Sequence, residues 1–215
     1  MNTLHFRHVL AAAAFVALLP LQAQASVSLI NTSTPSNGLI GSNTVDSGNW
    51  IAEKFSFTSA TQIDSVKAYV LSADAYSDLG KTFTIALYAD QGGLPALSFA
   101  NANQGQLYQT TATYNGDGWN GSTGLNWTLA AGSYWFALEA GSDASSASYL
   151  QAPTGALPTA EAVAYFSGGQ RYAGTGVSDS FGLQVTAAVP EPDSLALLLA
   201  GIGLVAVAAR RRISH

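Results

Sequence analysis

The segment Asn115-Gly116-Asp117-Gly118-Trp119-Asn120-Gly121 holds the residues best suited to recognise a ligand. An indole beside a carboxylate and an amide suits a sugar. The flat ring stacks on the apolar sugar face, and Asp117 and Asn120 are the right types to bond its hydroxyls. Trp50 and Tyr114 are candidates to extend the same platform. A second reading stays open, in which Trp119 caps the end of the domain and the glycines make a turn. Tyr165 and Tyr172 flank Gly168-Gly169-Gln170-Arg171, either as a binding edge or as an ordinary hairpin. Trp127 and Trp135 sit in strongly apolar runs and read as packing residues.

Catalytic chemistry has few carriers. The chain has no cysteine, and its three histidines are His5, His8 and His215, all near the ends. A Ser-His-Asp triad, a thiol nucleophile and a His-ligated zinc are therefore excluded from the region between. Carboxylates remain, including Glu53, Glu139 and Glu161, but no spacing brings two together as a glycosidase needs. Glu53 and Glu139 are expected to be outward strand positions. Asp90, Asp117 and Asp143 are hard oxygen ligands suited to calcium, yet no D-x-D-x-D-G loop exists. The expectation is no catalytic residue, no metal site and no cofactor, with calcium as a weaker alternative.

Charge narrows the partners. Residues 26–188 carry four basic residues, Lys54, Lys67, Lys81 and Arg171, against eleven acids. Nucleic-acid binding requires a basic footprint, so it is set aside.

The elements that must position these residues read as strands. Period-two alternation covers 51–57, 63–71, 82–89, 125–129, 133–139, 161–166 and 180–186. In 63–71, Val66, Ala68 and Val70 share a face with Ile63 out of phase, which predicts a bulge near Asp64–Ser65. Turn chemistry separates the runs, as in Asp90-Gln91-Gly92-Gly93-Leu94-Pro95 and Asn115-Gly116-Asp117-Gly118. The segment 71–80 is compatible with a short helical turn, and 140–160 reads as a long loop. The prediction is an all-β, two-sheet antiparallel sandwich, jelly-roll-like, over residues 26–188.

Both ends read as targeting segments. Arg7 precedes an apolar stretch from Val9 to Leu21, followed by Ala23-Gln24-Ala25. A positive start, a short apolar core and an A-x-A site make a signal peptide over residues 1–25. At the other end, Val189-Pro190-Glu191-Pro192 precedes an uncharged run from Leu195 to Ala209, and Arg210-Arg211-Arg212 follows. The run falls short of the roughly 20 apolar residues of a standard spanning helix. A short transmembrane helix over 194–209 would be a weak anchor. The arginines belong on the cytoplasmic side. The prolines hold the preceding segment extended, open to a membrane-bound processing enzyme.

These three parts, over residues 189–215, resemble a PEP-CTERM sorting signal, which bacteria pair with an exosortase. The resemblance implies that Val189, Pro190, Glu191 and Pro192 are recognised and that Arg210, Arg211 and Arg212 act as the stop. It implies passage through the inner membrane, then a cell-surface or extracellular location in a polysaccharide matrix. Phe55-Ser56-Phe57, Ile63-Asp64-Ser65-Val66, Ile85-Ala86-Leu87-Tyr88-Ala89-Asp90, Gly93-Leu94-Pro95 and Ala131-Gly132-Ser133-Tyr134-Trp135-Phe136-Ala137-Leu138 are similar to the choice-of-anchor type of β domain. That likeness implies a sandwich and supplies no catalytic residue. The expected role is a non-enzymatic surface or matrix protein associated with exopolysaccharide. The alternatives are a carbohydrate-binding module using Trp119, Asp117 and Asn120, and a carboxylate-dependent polysaccharide hydrolase or lyase.

Overall fold

A computed structural model describes residues 26–36, 43–46, 48–72, 77–96, 105–141, 150–155, 160–167, 170–174 and 179–188, together with Ile202. The signal peptide expected from the sequence lies outside the described residues, as does the expected helix over 194–209 apart from Ile202. Ser26–Ala188 forms one compact unit.

Among the described residues, strands build two antiparallel sheets of seven strands each. The first sheet contains β1 (Ser26–Asn31), β2 (Asn43–Val45), β4 (Thr61–Ser72), β8 (Gly118–Ser122), β9 (Trp127–Leu129), β11 (Leu150–Ala152) and β14 (Gly182–Ala188). The second contains β3 (Asn49–Phe57), β5 (Thr82–Gln91), β6 (Leu94–Pro95), β7 (Tyr108–Thr113), β10 (Gly132–Ala140), β12 (Ala162–Ser167) and β13 (Gln170–Gly174). The chain crosses between the sheets repeatedly, as a jelly-roll-like sandwich requires.

The alternation read from the sequence places the core. Ile63, Val66, Ala68, Val70, Leu183 and Val185 of the first sheet meet Ile51, Phe55, Phe83, Ile85, Phe136 and Leu138 of the second. Trp127 joins this core and stacks on Tyr108, with centroids 5.5 Å apart. The bulge falls where the phase break predicts it. Ser65 pairs with Thr186 and Ile63 with Ala187, so Asp64 is the extra residue.

The long strand β4 organises the first sheet. Its residue Val66 pairs with Val185 of β14 on one edge and with Ser122 of β8 on the other. Farther along, Ile63 pairs with Trp127 of β9. One twelve-residue strand thus carries several short ones.

The second sheet is buried on both faces. Trp50, Ala52, Ala86, Tyr88, Trp135, Ala137 and Ala164 form a separate apolar cluster on the side away from the sandwich core. Trp50 stacks on Phe166 at 5.4 Å and on Tyr88 at 6.2 Å. A sheet covered on both faces needs apolar residues at consecutive positions. Trp135-Phe136-Ala137-Leu138 meets that need and is fully buried.

Four sequence expectations are corrected. Glu53 and Glu139 are buried rather than outward and solvated. Glu53 shares the inward face of β3 with Ile51 and Phe55, and Glu139 lies on the covered side of β10. The segment 140–160 is not wholly loop, because β11 pairs with β2 and β4 there. In the segment 71–80, β4 continues to Ser72, residues 77–80 are turn, and residues 73–76 lie outside the described residues. Residues 118–122 are strand, so Trp119 stands on a sheet rather than at a loop tip. Of these elements, β11 is short and β8 is glycine-rich, and both pair with the long strand β4 rather than forming from a local pattern.

Candidate functional site

The turn at residues 114–118 carries the chain from β7 in the second sheet to β8 in the first. Gly116 and Gly118 have φ near +127° and +130°, a region open to residues without a Cβ. Side chains hold this turn closed. The Tyr114 hydroxyl donates to Asp117 Oδ1 at 2.5 Å, and the same oxygen accepts the Ser72 backbone N–H at 3.0 Å. Burial, and then the Asp117 carboxylate, push the Tyr114 hydroxyl up to about 12.

Asn120 completes the closure. Its Nδ2 donates to the carbonyls of Gly116 at 2.9 Å and Gly118 at 3.0 Å, and its Oδ1 accepts the Asn115 N–H at 2.9 Å. Beside it, Ser72 donates to the buried Asp78, which also faces Lys81 at 3.5 Å. Asn120 and one oxygen of Asp117 are therefore engaged in building the turn.

Trp119 faces the other way. It pairs with Tyr69 of β4 on the outer face of the first sheet. The rings meet edge to face, 5.4 Å apart at 81°. Gly182 of β14 lies opposite Tyr69. A Cβ at Gly182 would stand 2.5 Å from Tyr69 Cβ and 3.2 Å from Trp119 Cη2, so the missing side chain is what lets the two rings settle there. Both rings are half-buried. Lys67 occupies the same face two positions along β4, between Gly121 and Gln184 on the flanking strands. Lys54 is paired with Asp90 and Glu161, and Lys81 with Asp78. Among the described lysines, Lys67 alone makes no ion pair.

This face differs from the platform drawn from the sequence. Trp119 is on it, but Trp50 belongs to the cluster behind the second sheet and Tyr114 is buried in the turn. Tyr69, Lys67 and Gln184 were missed. The alternation of β4 does turn Tyr69 away from Val66, Ala68 and Val70. Only strand pairing sets it beside Trp119.

The other polar cluster is buried. Behind the second sheet, the Tyr88 hydroxyl donates to Glu139, and Gln106 Nε2 donates to its other oxygen at 3.3 Å. Burial raises the Glu139 carboxyl to about 7, against the lowering effect of these two donors. Burial and then the Glu139 charge raise the Tyr88 hydroxyl above its usual value. Inside the sandwich, Glu53 accepts the Phe181 N–H, and burial raises its carboxyl well above the ordinary range. Phe136 of β10 pairs with Glu53, so the sheet itself separates Glu53 from Glu139.

The remaining sequence candidates are dispersed. Asp90 accepts the Trp135 indole N–H at 2.7 Å and faces Lys54 at 3.8 Å. Asp143 lies outside the described residues, and among the described residues no three acids or histidines cluster as a metal site. Tyr165 pairs with Tyr172 in the β12–β13 hairpin. The sorting residues Val189–Pro192 and Arg210–Arg212 lie outside the described residues.

Those sorting residues are where comparison with known proteins is informative. Residues 188–212 match the PEP-CTERM protein-sorting motif. No curated protein matches the chain. The chain thus carries a PEP-CTERM sorting signal, the mark of an exported protein processed by an exosortase and sorted at the membrane toward the cell surface.

Proposed function

We propose that the mature domain is a non-enzymatic surface or extracellular-matrix component that associates with exopolysaccharide through the Trp119 face. The observation that carries the reading is the half-buried Trp119–Tyr69 pair beside Lys67 and Gln184 on one sheet face. The rings offer apolar area and Gln184 offers an amide to sugar hydroxyls. The unpaired ammonium of Lys67 favours a glycan bearing carboxylates. In the sorting step, Pro190, Glu191 and Pro192 are the recognised segment and Arg210–Arg212 hold the stop, with transient residence in the inner membrane.

The hydrolase alternative is weaker. It needs two carboxyls across one glycosidic bond, and Glu53 and Glu139 face opposite sides of a sheet. A true carbohydrate-binding module would use the same Trp119 face with narrower specificity.

The test is equilibrium binding of the purified protein to the producing organism's exopolysaccharide, with and without calcium. Saturable binding is expected, weakened about tenfold by Trp119→Ala, or about 1.4 kcal/mol. Lys67→Gln should reduce the preference for uronate-bearing over neutral glycans. Unchanged binding in Trp119→Ala would sink this site.

A further inference from the structure

The first strand is poorly seated. Of the six residues of β1 only Ile30 is buried, and Val27 is 52% exposed. Beside it a half-open pocket of about 280 Å³ is lined by Leu29, Ile30 and Asn31 of β1, by Phe55, Ser56 and Phe57 of β3, and by Glu161. Leu29 is bulged out of register between Ser28–Thr186 and Ile30–Val185. Among the described residues β1 has one neighbour, β14, and its other edge is unpaired.

The chain leaving β1 is strained. Thr32 makes the last hydrogen bonds to β14: its N–H donates to the Leu183 carbonyl at 3.0 Å, and its hydroxyl accepts the Leu183 N–H at 2.7 Å. The next residue, Ser33, has φ +65°, costly for a residue with a Cβ, and Thr34-Pro35 follows. A terminal strand with little buried area, joined through a strained connection, is the arrangement that favours exchange between copies. In the exchanged form Ser33 can relax to an extended backbone while every β1–β14 contact is kept.

We propose that β1 is an exchangeable strand, which leaves its own β14 and pairs with the β14 of a second copy of this chain. The partner is a second copy because only another β1 repeats the Ile30 and Thr32 contacts at the same register. Two features suit the exchange to an exported, sorted protein. Removal of a leader ending at Ala25 would make Ser26, the first residue of β1, a free end. Ser26 also pairs with Ala188, where the chain enters the sorting motif. Copies gathered at a membrane by their tails would thus bring β1 and β14 together. Head-to-tail repetition would then link copies into an open chain.

The absence of native cysteine makes this directly testable. Val27 and Ala187 are paired across β1 and β14, within the range a disulfide spans. Two differently tagged full-length forms, Val27→Cys and Ala187→Cys, would be co-produced in an exosortase-bearing bacterium and oxidised. The expected result is a disulfide joining the two tags, with Ser33→Gly lowering its yield several-fold. The double variant V27C/A187C in one chain should close an internal disulfide, showing that the pair can be bridged. Internal closure without any mixed product would overturn the proposal. So would a V27C–V27C product in place of the mixed one, which would indicate simple contact between β1 edges. Glycan binding is independent of both readouts.

Discussion

The two sheets treat their outer faces in opposite ways. The first presents two half-buried rings, Tyr69 and Trp119, with Lys67 and Gln184 alongside. The second hides a richer aromatic set, with Trp50, Tyr88 and Trp135 all buried. Aromatic content alone therefore does not mark the face that can meet a ligand. Tryptophan buries a large area wherever it packs, and in the second sheet that area is already committed to folding. In the first sheet, the glycine at 182 leaves room for the two rings on a face where both stay half-buried.

The contrast can be broken most severely at Trp135. Its side chain is fully buried and its indole N–H donates to Asp90. Trp135→Ala should cost about 3–5 kcal/mol in denaturant unfolding. Trp119→Ala, on the half-exposed face, should cost clearly less. Equal costs would mean that the two faces do the same structural work.

Acidity should sharpen the contrast next. Glu139 has a folded-state value of about 7 against 4.5 for an ordinary glutamate. The folded state therefore holds its proton where the unfolded chain has released it. Stability is fully present below about pH 4.5 and is lost as pH rises toward 7. The loss expected from this group is on the order of 3 kcal/mol. Glu139→Gln should flatten that part of a pH-dependent unfolding curve. A wild-type curve that rises from pH 4.5 to 7 would contradict the assignment. Glu53, raised in the same direction, adds to the slope.

The smallest effect is expected at the turn beneath Trp119. Asn120→Ala removes three hydrogen bonds that close residues 115–118 and should cost about 1–3 kcal/mol. If Asn120 serves the turn alone, glycan affinity corrected for the folded fraction should stay unchanged. A loss of affinity beyond that would return Asn120 to the binding face.

Much of the sandwich was legible because burial in a sheet imposes a two-residue period. Phe83, Ile85 and Leu87 stand on one face as their spacing requires, and the phase break at Asp64 marked a real bulge. The short strands were not legible. β11 has three residues and β8 reads Gly-Trp-Asn-Gly-Ser, so neither carries a period of its own. The candidate site was half legible. Trp119 stood out by type, while Tyr69 lies fifty positions away in the chain and was brought to it by register.

Several properties were determined by the sequence alone, because they depend on residue type or on order along the chain. The absence of cysteine, the confinement of the three histidines to the ends of the chain, the acidic balance, the alternation of the long strands and the sorting motif need no fold to exist. Tertiary structure alone decided which side chains share a face. It turned Glu53 into the core and Glu139 to the opposite side of the same sheet. It also set Trp119 against Tyr69 and closed β1 onto β14. Those outcomes follow from pairing between distant strands, and hydrogen-bonded register carries no signature in any one segment that takes part in it.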